Sequence, residues 1–81
     1  MDWDKLKIFH TVAEAGSFTN ASTILNLSQS AISRQIQSLE KDLKINLFER
    51  HARGLVLTSN GEYLFKTAND VISKLKEVES N

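Results

Sequence analysis

The chain has 81 residues with ten basic and ten acidic side chains, so its formal net charge is zero, and its length suits one small domain. It contains no cysteine, which excludes disulfide scaffolds, thiolate metal sites and thiol nucleophiles. We find no apolar run of about 18 residues and no basic, hydrophobic leader, so we expect a cytoplasmic protein with no membrane partner.

The N-terminal part predicts two helices separated by a glycine. The first runs from about Trp3 to Ala15, with Asp2 as its cap and Gly16 as the left-handed residue after it. Ser17 caps a short second helix over about residues 18–25. The apolar residues expected to face the core are Leu6, Phe9, Val12 and Ala13 in the first helix and Phe18, Ala21, Ile24 and Leu25 in the second.

A turn at residues 26–27 leads to a third helix that is capped by Ser28 and is the most informative stretch of the chain. At 100° per residue, its apolar side is a narrow stripe of Ile32, Ile36, Leu39 and Leu43. The opposite side is polar and nearly free of acids: Gln29, Ser30, Ser33, Arg34, Gln37 and Lys41. Glutamine pairs with adenine, arginine with guanine, and serine with a base edge or a phosphate. This pattern indicates a helix-turn-helix with a DNA-reading surface.

Two strand-like runs at residues 47–50 and 55–58 predict a β-hairpin. Arg53 lies at its tip beside Gly54. The two interpretations of Arg53 are an ordinary exposed turn residue and an arginine that enters the narrow, negative minor groove of A·T-rich DNA, and we favour the second. Glu40 borders the apolar face of the third helix, and Arg50 ends the first strand. We hypothesise that these two form an ion pair that anchors the hairpin, with a phosphate contact as the alternative for Arg50.

Thr58 or Ser59 opens a long last helix that reaches the late 70s, and Ser59 with Glu62 fits a capping box. Its apolar residues recur at heptad spacing, and little of so small a domain is left to cover them. We therefore predict that a second copy covers them, together with one residue of the first helix. The predicted dimerisation residues are Ile8, Leu64, Phe65, Ala68, Val71, Ile72, Leu75 and Val78.

The net charge of zero weighs against a nucleic-acid partner, because phosphate neutralisation supplies much of the affinity. The charges are unevenly distributed, however. Residues 28–58 carry five basic and three acidic side chains, a local balance of +2, while each flanking segment is at −1. A locally positive strip on a neutral body is compatible with DNA binding.

Six short pieces of the sequence recur together in one known family: Leu6 with Phe9, AEAGSF at 13–18, SQSAISRQI at 28–36, LE at 39–40, LFER at 47–50, and Leu57-Thr58 with Gly61-Glu62. In their order and spacing, these pieces resemble the N-terminal winged helix-turn-helix domain of LysR-type bacterial transcription regulators. The resemblance implies a mainly α fold in which three helices and a hairpin wing are followed by a linker helix. Residues 1–58 would form the DNA-binding domain and residues 59–81 the linker, through which two copies dimerise on double-stranded DNA.

The resemblance also implies a C-terminal domain that senses a small-molecule effector and is absent from this sequence, so the chain looks like a piece of a longer protein. The expected target is an A·T-rich inverted repeat of T-spacer-A form. Lys44 stands where the family usually has glycine after the third helix, and a non-glycine in that left-handed position costs about 1 kcal/mol.

We predict that Gln29, Ser33 and Arg34 read bases in the major groove, while Ser30 and backbone N–H groups near Ser28 hold phosphates. The complete set of predicted DNA-binding residues is Ser28, Gln29, Ser30, Ser33, Arg34, Gln37, Arg50 and Arg53. No cofactor, metal or catalytic site is predicted, and no catalytic motif indicates an enzyme. The alternative function is a winged-helix module that binds proteins, whose affinity would lack the steep salt dependence of DNA binding.

Overall fold

The computed structural model describes residues 2–52 and 54–80, which form four helices and one two-stranded antiparallel sheet. The elements are α1 (Trp3–Ala15), α2 (Phe18–Leu25), α3 (Gln29–Leu43), β1 (Phe48–His51), β2 (Gly54–Leu57) and α4 (Ser59–Ser80). The predicted winged helix-turn-helix fold with a long C-terminal helix is confirmed. Within these residues no helix combines the length and the apolar character needed to cross a membrane.

The first three helices begin and end where local chemistry predicted. The side chains of Asp2, Ser17 and Ser28 each accept a hydrogen bond from a backbone N–H in the first turn that follows, at 2.9, 3.0 and 3.1 Å. Gly16 ends α1 at φ +78°, and Lys44 ends α3 at φ +59°. The family's usual glycine position is therefore left-handed here as well, and a lysine occupies it.

The core lies around α1, which packs against α2, α3 and the first half of α4. Its buried residues are Leu6, Phe9, Val12, Ala21, Ile32, Ile36, Leu39, Leu47 and Ala68. The prediction that Ile24 is buried is wrong, because its side chain is 66% exposed. The contact face of α2 is narrow: it follows Phe18, Ala21 and Leu25 at helical spacing, and Ile24 lies about 100° away from Leu25 on the helix.

The backbone of Leu47 connects α3, the wing and α4 by hydrogen bonds to Glu40 and Thr58, and we call these three residues the Leu47 junction. The backbone N–H of buried Leu47 donates to Glu40 Oε2 at 2.7 Å, and its carbonyl accepts from the N–H of Thr58 at 3.0 Å. Thr58 Oγ1 in turn accepts from the N–H of Gly61 at 3.0 Å. Thr58 is therefore the cap of α4, and the capping box predicted from Ser59 is wrong.

The wing strands are each displaced by one residue from the prediction. Phe48 pairs with Leu57 and His51 pairs with Gly54, so the strands cover 48–51 and 54–57 rather than 47–50 and 55–58. The displacement follows from the Leu47 junction, where Leu47 turns into the core and Thr58 serves as the α4 cap. Phe48 then begins β1 with its ring 5.4 Å from that of Phe9.

Candidate nucleic-acid interface

The polar face of α3 is exposed and free of negative charge over its first three turns. No acidic residue occurs between positions 15 and 39 of the chain. The polar residues of this face are exposed or, for Ser33, half-buried: Gln29, Ser30, Ser33, Arg34 and Gln37. The opposite face is fixed in the core by Ile32, Ile36 and Leu39. Because the buried side sets the rotation of the helix, it also sets which side chains project into solvent.

The N-terminus of α3 presents hydroxyl groups and backbone N–H groups together. Ser28 Oγ accepts from the backbone N–H of Ala31 at 3.1 Å and lies 3.3 Å from Ser30 Oγ. Both serines are exposed. The first N–H groups of a helix lack partners within the helix and carry the positive end of its dipole, so this corner can bind an anion such as a phosphate.

Two arginines contribute positive charge here: Arg34 lies on this face, and Arg50 lies beside it on the wing. Arg34 is exposed, and among residues 2–52 and 54–80 it forms no ion pair, so its guanidinium is available to a ligand. Arg50 is exposed on β1, and its guanidinium carbon lies 5.1 Å from the centre of the Phe18 ring. Arg53, the predicted minor-groove residue, lies outside the described residues.

The ion pair predicted between Glu40 and Arg50 is wrong. Glu40 directs its carboxylate to the backbone N–H of Leu47, and Arg50 instead lies over Phe18. Glu40 still anchors the wing, but it does so by a charge-assisted hydrogen bond to the chain that enters β1. Glu40 is therefore not the partner of Arg50, and the Arg50 guanidinium lies on the surface over Phe18.

Two shallow clefts separate α3 from the wing, and Arg50 lines both. The larger, of about 260 Å³, also includes Thr19 and Gln29 in its lining. The smaller, of about 90 Å³, includes Ser33 and Gln37. The structure therefore brings Gln29, Ser33 and Gln37, which recur every four residues on α3, to the same side as the wing arginine.

Sequence reasoning missed Thr19. Its Oγ1 accepts a hydrogen bond from Gln29 Nε2 at 3.4 Å, which connects the first turn of α2 to the first turn of α3. The two residues are ten positions apart and lie on different helices, so neither helical periodicity nor a capping pattern indicates the contact. The packing angle of the two helices decides it.

The apolar stripe predicted on α4 divides into two parts. Ala68 is 1% exposed and belongs to the core of its own chain, against which Ile8, Leu64 and Phe65 also pack. The later residues are more open: Ile72 is half-buried, and Val71, Leu75 and Val78 are exposed. The exposed fraction rises from 38% at Val71 to 72% at Val78. Of the predicted stripe, therefore, the residues in the second half of α4 are the uncovered ones.

No metal-binding arrangement is found in the part of the chain that the structure describes, since no three histidine, aspartate or glutamate side chains come together there. His10 Nε2 lies 2.6 Å from Asn69 Oδ1, and its ring stacks on Phe65 at 5.1 Å. This histidine therefore helps to attach α1 to α4.

Comparison with known proteins gives consistent matches. Residues 3–62 match the model of the family described as bacterial regulatory helix-turn-helix proteins of the lysR family. The chain is 43% identical over 81 residues, all of its length and 28% of the relative's, to the HTH-type transcriptional regulator YofA of Bacillus subtilis strain 168. The chain spans less than a third of the length of the curated relatives it matches.

Solved structures of DNA complexes are similar over nearly the whole chain. The complex of the BenM DNA-binding domain with benA site 1 DNA has a TM-score of 0.90 at 36% identity, covering 99% of this chain and 93% of that one. The complex of the CbnR DNA-binding domain with DNA has a TM-score of 0.86 at 38% identity, covering 99% and 92%.

Proposed function

Because this chain belongs to the lysR family and is a winged helix-turn-helix DNA-binding domain of a transcription regulator, not an enzyme, we propose that it binds an A·T-rich inverted repeat as a homodimer. We assign DNA recognition to residues 1–58 and dimerisation to residues 59–81. An effector-sensing domain would belong to the longer protein. The expected site of action is the bacterial cytoplasm, where the DNA lies.

The observation that carries this proposal is the acid-free polar face of α3, held outward by a buried apolar face. In the proposed complex, α3 lies in the major groove and Gln29, Ser33 and Arg34 contact base edges. Gln37 lies one turn further along the same side and contacts the edge of the site. Ser28 and Ser30 support phosphate binding because they lie at the exposed N-terminus of α3.

The wing supplies the second set of contacts. Arg50 lies between the two clefts that face α3, so it suits the phosphates that border the major groove. From its position in the sequence at the hairpin tip, Arg53 is proposed to enter the adjacent minor groove, where an arginine favours narrow A·T-rich DNA. Although the whole chain has no net charge, Arg50 and Arg53 place two positive charges on the wing.

Dimerisation through α4 is supported by the apolar residues that the chain leaves uncovered in the second half of that helix. Val71, Leu75 and Val78 form the open part of the stripe, Ile72 borders it, and Phe65 lies where the stripe enters the core. The proposed surface also includes Ile8 and Leu64 at its inner edge and excludes Ala68, which is buried in its own chain. A dimer with two-fold symmetry places two α3 helices on the two halves of an inverted repeat.

Selection of bound sequences from a random duplex pool tests the proposal, with the affinity of the winning sequences measured by fluorescence anisotropy over a salt series. We expect an enriched A·T-rich inverted repeat whose affinity falls steeply with salt, because released counterions drive phosphate contacts. An enriched single half-site would refute the dimer but keep the DNA-reading role. No enrichment and no binding at low salt would favour a protein-binding module instead.

A further inference from the structure

The first turn of α2 holds a residue, Thr19, whose side chain contacts a predicted base-reading residue of α3. Thr19 is exposed, and its Oγ1 accepts a hydrogen bond from Gln29 Nε2 at 3.4 Å. We propose that Thr19 is a positioning residue that fixes the rotation of the Gln29 amide and thereby makes Gln29 select adenine over guanine. This inference rests on the proposed function, in which Gln29 reads a base.

The selectivity follows from the number of donors that Gln29 keeps. A side-chain amide has two N–H donors and one carbonyl acceptor. With one N–H directed to Thr19, the amide offers DNA one donor and one acceptor. Adenine presents one acceptor and one donor in the major groove, whereas guanine presents two acceptors. An amide held by Thr19 therefore matches adenine and leaves one acceptor of guanine unpaired, which is the costly outcome for a desolvated polar group.

The hydroxyl can act in this way because the first turn of α2 is held in place. Ser17, two residues before Thr19, caps the helix. Phe18, the residue directly before Thr19, packs its ring 6.4 Å from that of Phe48 and lies beneath the Arg50 guanidinium. The backbone that carries Thr19 is therefore held in place by the cap of α2 and by the packing of Phe18 against the wing. Ordering Gln29 before DNA arrives also removes part of the entropy cost of binding.

The location of the pair agrees with a role at the DNA surface. Thr19 and Gln29 line the larger cleft together with Arg50. The cleft is open, and Gln29 is exposed at its edge, so the free N–H and the carbonyl oxygen of Gln29 can reach a base while Nε2 remains bonded to Thr19. Thr19 needs no contact with DNA to influence which base is chosen.

The test compares Thr19→Val, which keeps the shape and removes the hydroxyl, with Thr19→Ser, which keeps the hydroxyl. Anisotropy measures the affinity of each variant for the selected operator and for duplexes that carry guanine at the position where Gln29→Ala loses its base preference. We expect Thr19→Val to lose about three- to tenfold of the adenine-over-guanine preference, as the loss of one hydrogen bond predicts. Thr19→Ser should stay within about twofold of the wild type.

Two further measurements separate positioning from other roles. The double variant of Thr19→Val with Gln29→Ala should lose no more preference than Gln29→Ala alone, because Thr19 acts through Gln29. The slope of affinity against salt should be unchanged, because no phosphate contact is lost. Melting temperatures of the variants check that the exposed position is structurally tolerant.

An equal loss on all duplexes would overturn the inference and make Thr19 a contact to the DNA backbone. Retention of the full preference in Thr19→Val would also overturn it. If Gln29→Ala itself leaves every base preference unchanged, then Gln29 does not read a base, and the inference fails together with that part of the proposed function. If Thr19→Val alone leaves the base preference unchanged, the inference about Thr19 fails. If Gln29→Ala also leaves it unchanged, the proposed role of Gln29 fails as well, so the two failures are distinguishable.

Discussion

Replacing Gly61 by alanine should strongly destabilise the domain, although alanine is the better helix former. Gly61 is buried in the first turn of α4, where the helix crosses the Leu47 junction. A Cβ at this position would overlap the Leu47 carbonyl oxygen, and it would lie 3.0 Å from Leu57 Cδ2 and 3.1 Å from the Leu47 carbonyl carbon. The backbone atoms cannot yield as a flexible side chain would, because the same carbonyl accepts the hydrogen bond from Thr58.

The magnitude follows from two opposing terms. Overpacking against backbone costs about 3 kcal/mol, and the higher helix propensity of alanine returns about 1 kcal/mol. The net loss of about 2 kcal/mol corresponds to a fall in melting temperature of roughly 8–16 °C for a domain of this size. Thermal unfolding followed by circular dichroism measures it.

The matched control is Asn60→Ala, one residue earlier on the same turn, where the side chain is exposed. This variant gains helix propensity without a clash, so its melting temperature should stay the same or rise. A Gly61→Ala variant as stable as the Asn60→Ala control would refute the close approach of α4 to Leu47 and, with it, the account of the Leu47 junction.

Arg34→Ala should cost about 1–3 kcal/mol of operator affinity and relax base preference at one position; equal losses on operator and random duplexes in anisotropy titrations would instead make Arg34 a phosphate contact. Leu75→Asp should dissociate the dimer in analytical ultracentrifugation, because it buries a charge in the apolar interface. The control Ser73→Asp adds the same charge on another side of α4 and should leave the dimer intact. Equal masses for the two variants would contradict the assigned stripe. Lys44→Gly should raise the free energy of unfolding by about 1 kcal/mol, since φ at Lys44 is +59° and glycine tolerates that conformation. Denaturant unfolding measures this gain. A lower free energy of unfolding would instead show that the lysine side chain stabilises the end of α3.

The sequence predicted those features that depend on neighbours along the chain. Asp2, Ser17 and Ser28 cap their helices as expected, because a capping side chain bonds to a backbone N–H only two or three residues away. The buried stripe of α3 was also predicted correctly, since helical periodicity alone determines it.

Features that depend on contacts between elements were predicted less well. Ile24 has the spacing of a core residue, but α2 is too short and its contact face too narrow to bury it. Glu40 and Arg50 have opposite charges, yet each has a different partner: Glu40 accepts from the backbone N–H of Leu47, and Arg50 lies over the ring of Phe18. The contact of Thr19 with Gln29 depends on the packing of α2 against α3, which periodicity does not encode.

In the proposed dimer, the Leu47 junction links the spacing of the two DNA half-sites to the geometry of α4. Glu40 ties the end of α3, and Thr58 ties the beginning of α4, to the same residue, so the two helices move as one body. The 22 residues of α4 span about 33 Å at 1.5 Å per residue. A change of about 10° in the angle at which two such helices cross would therefore displace their near ends by roughly 6 Å, close to two base-pair steps of about 3.4 Å. The spacing between the two half-sites would then depend on the dimer contact in the second half of α4, which lies far from the residues proposed to contact bases.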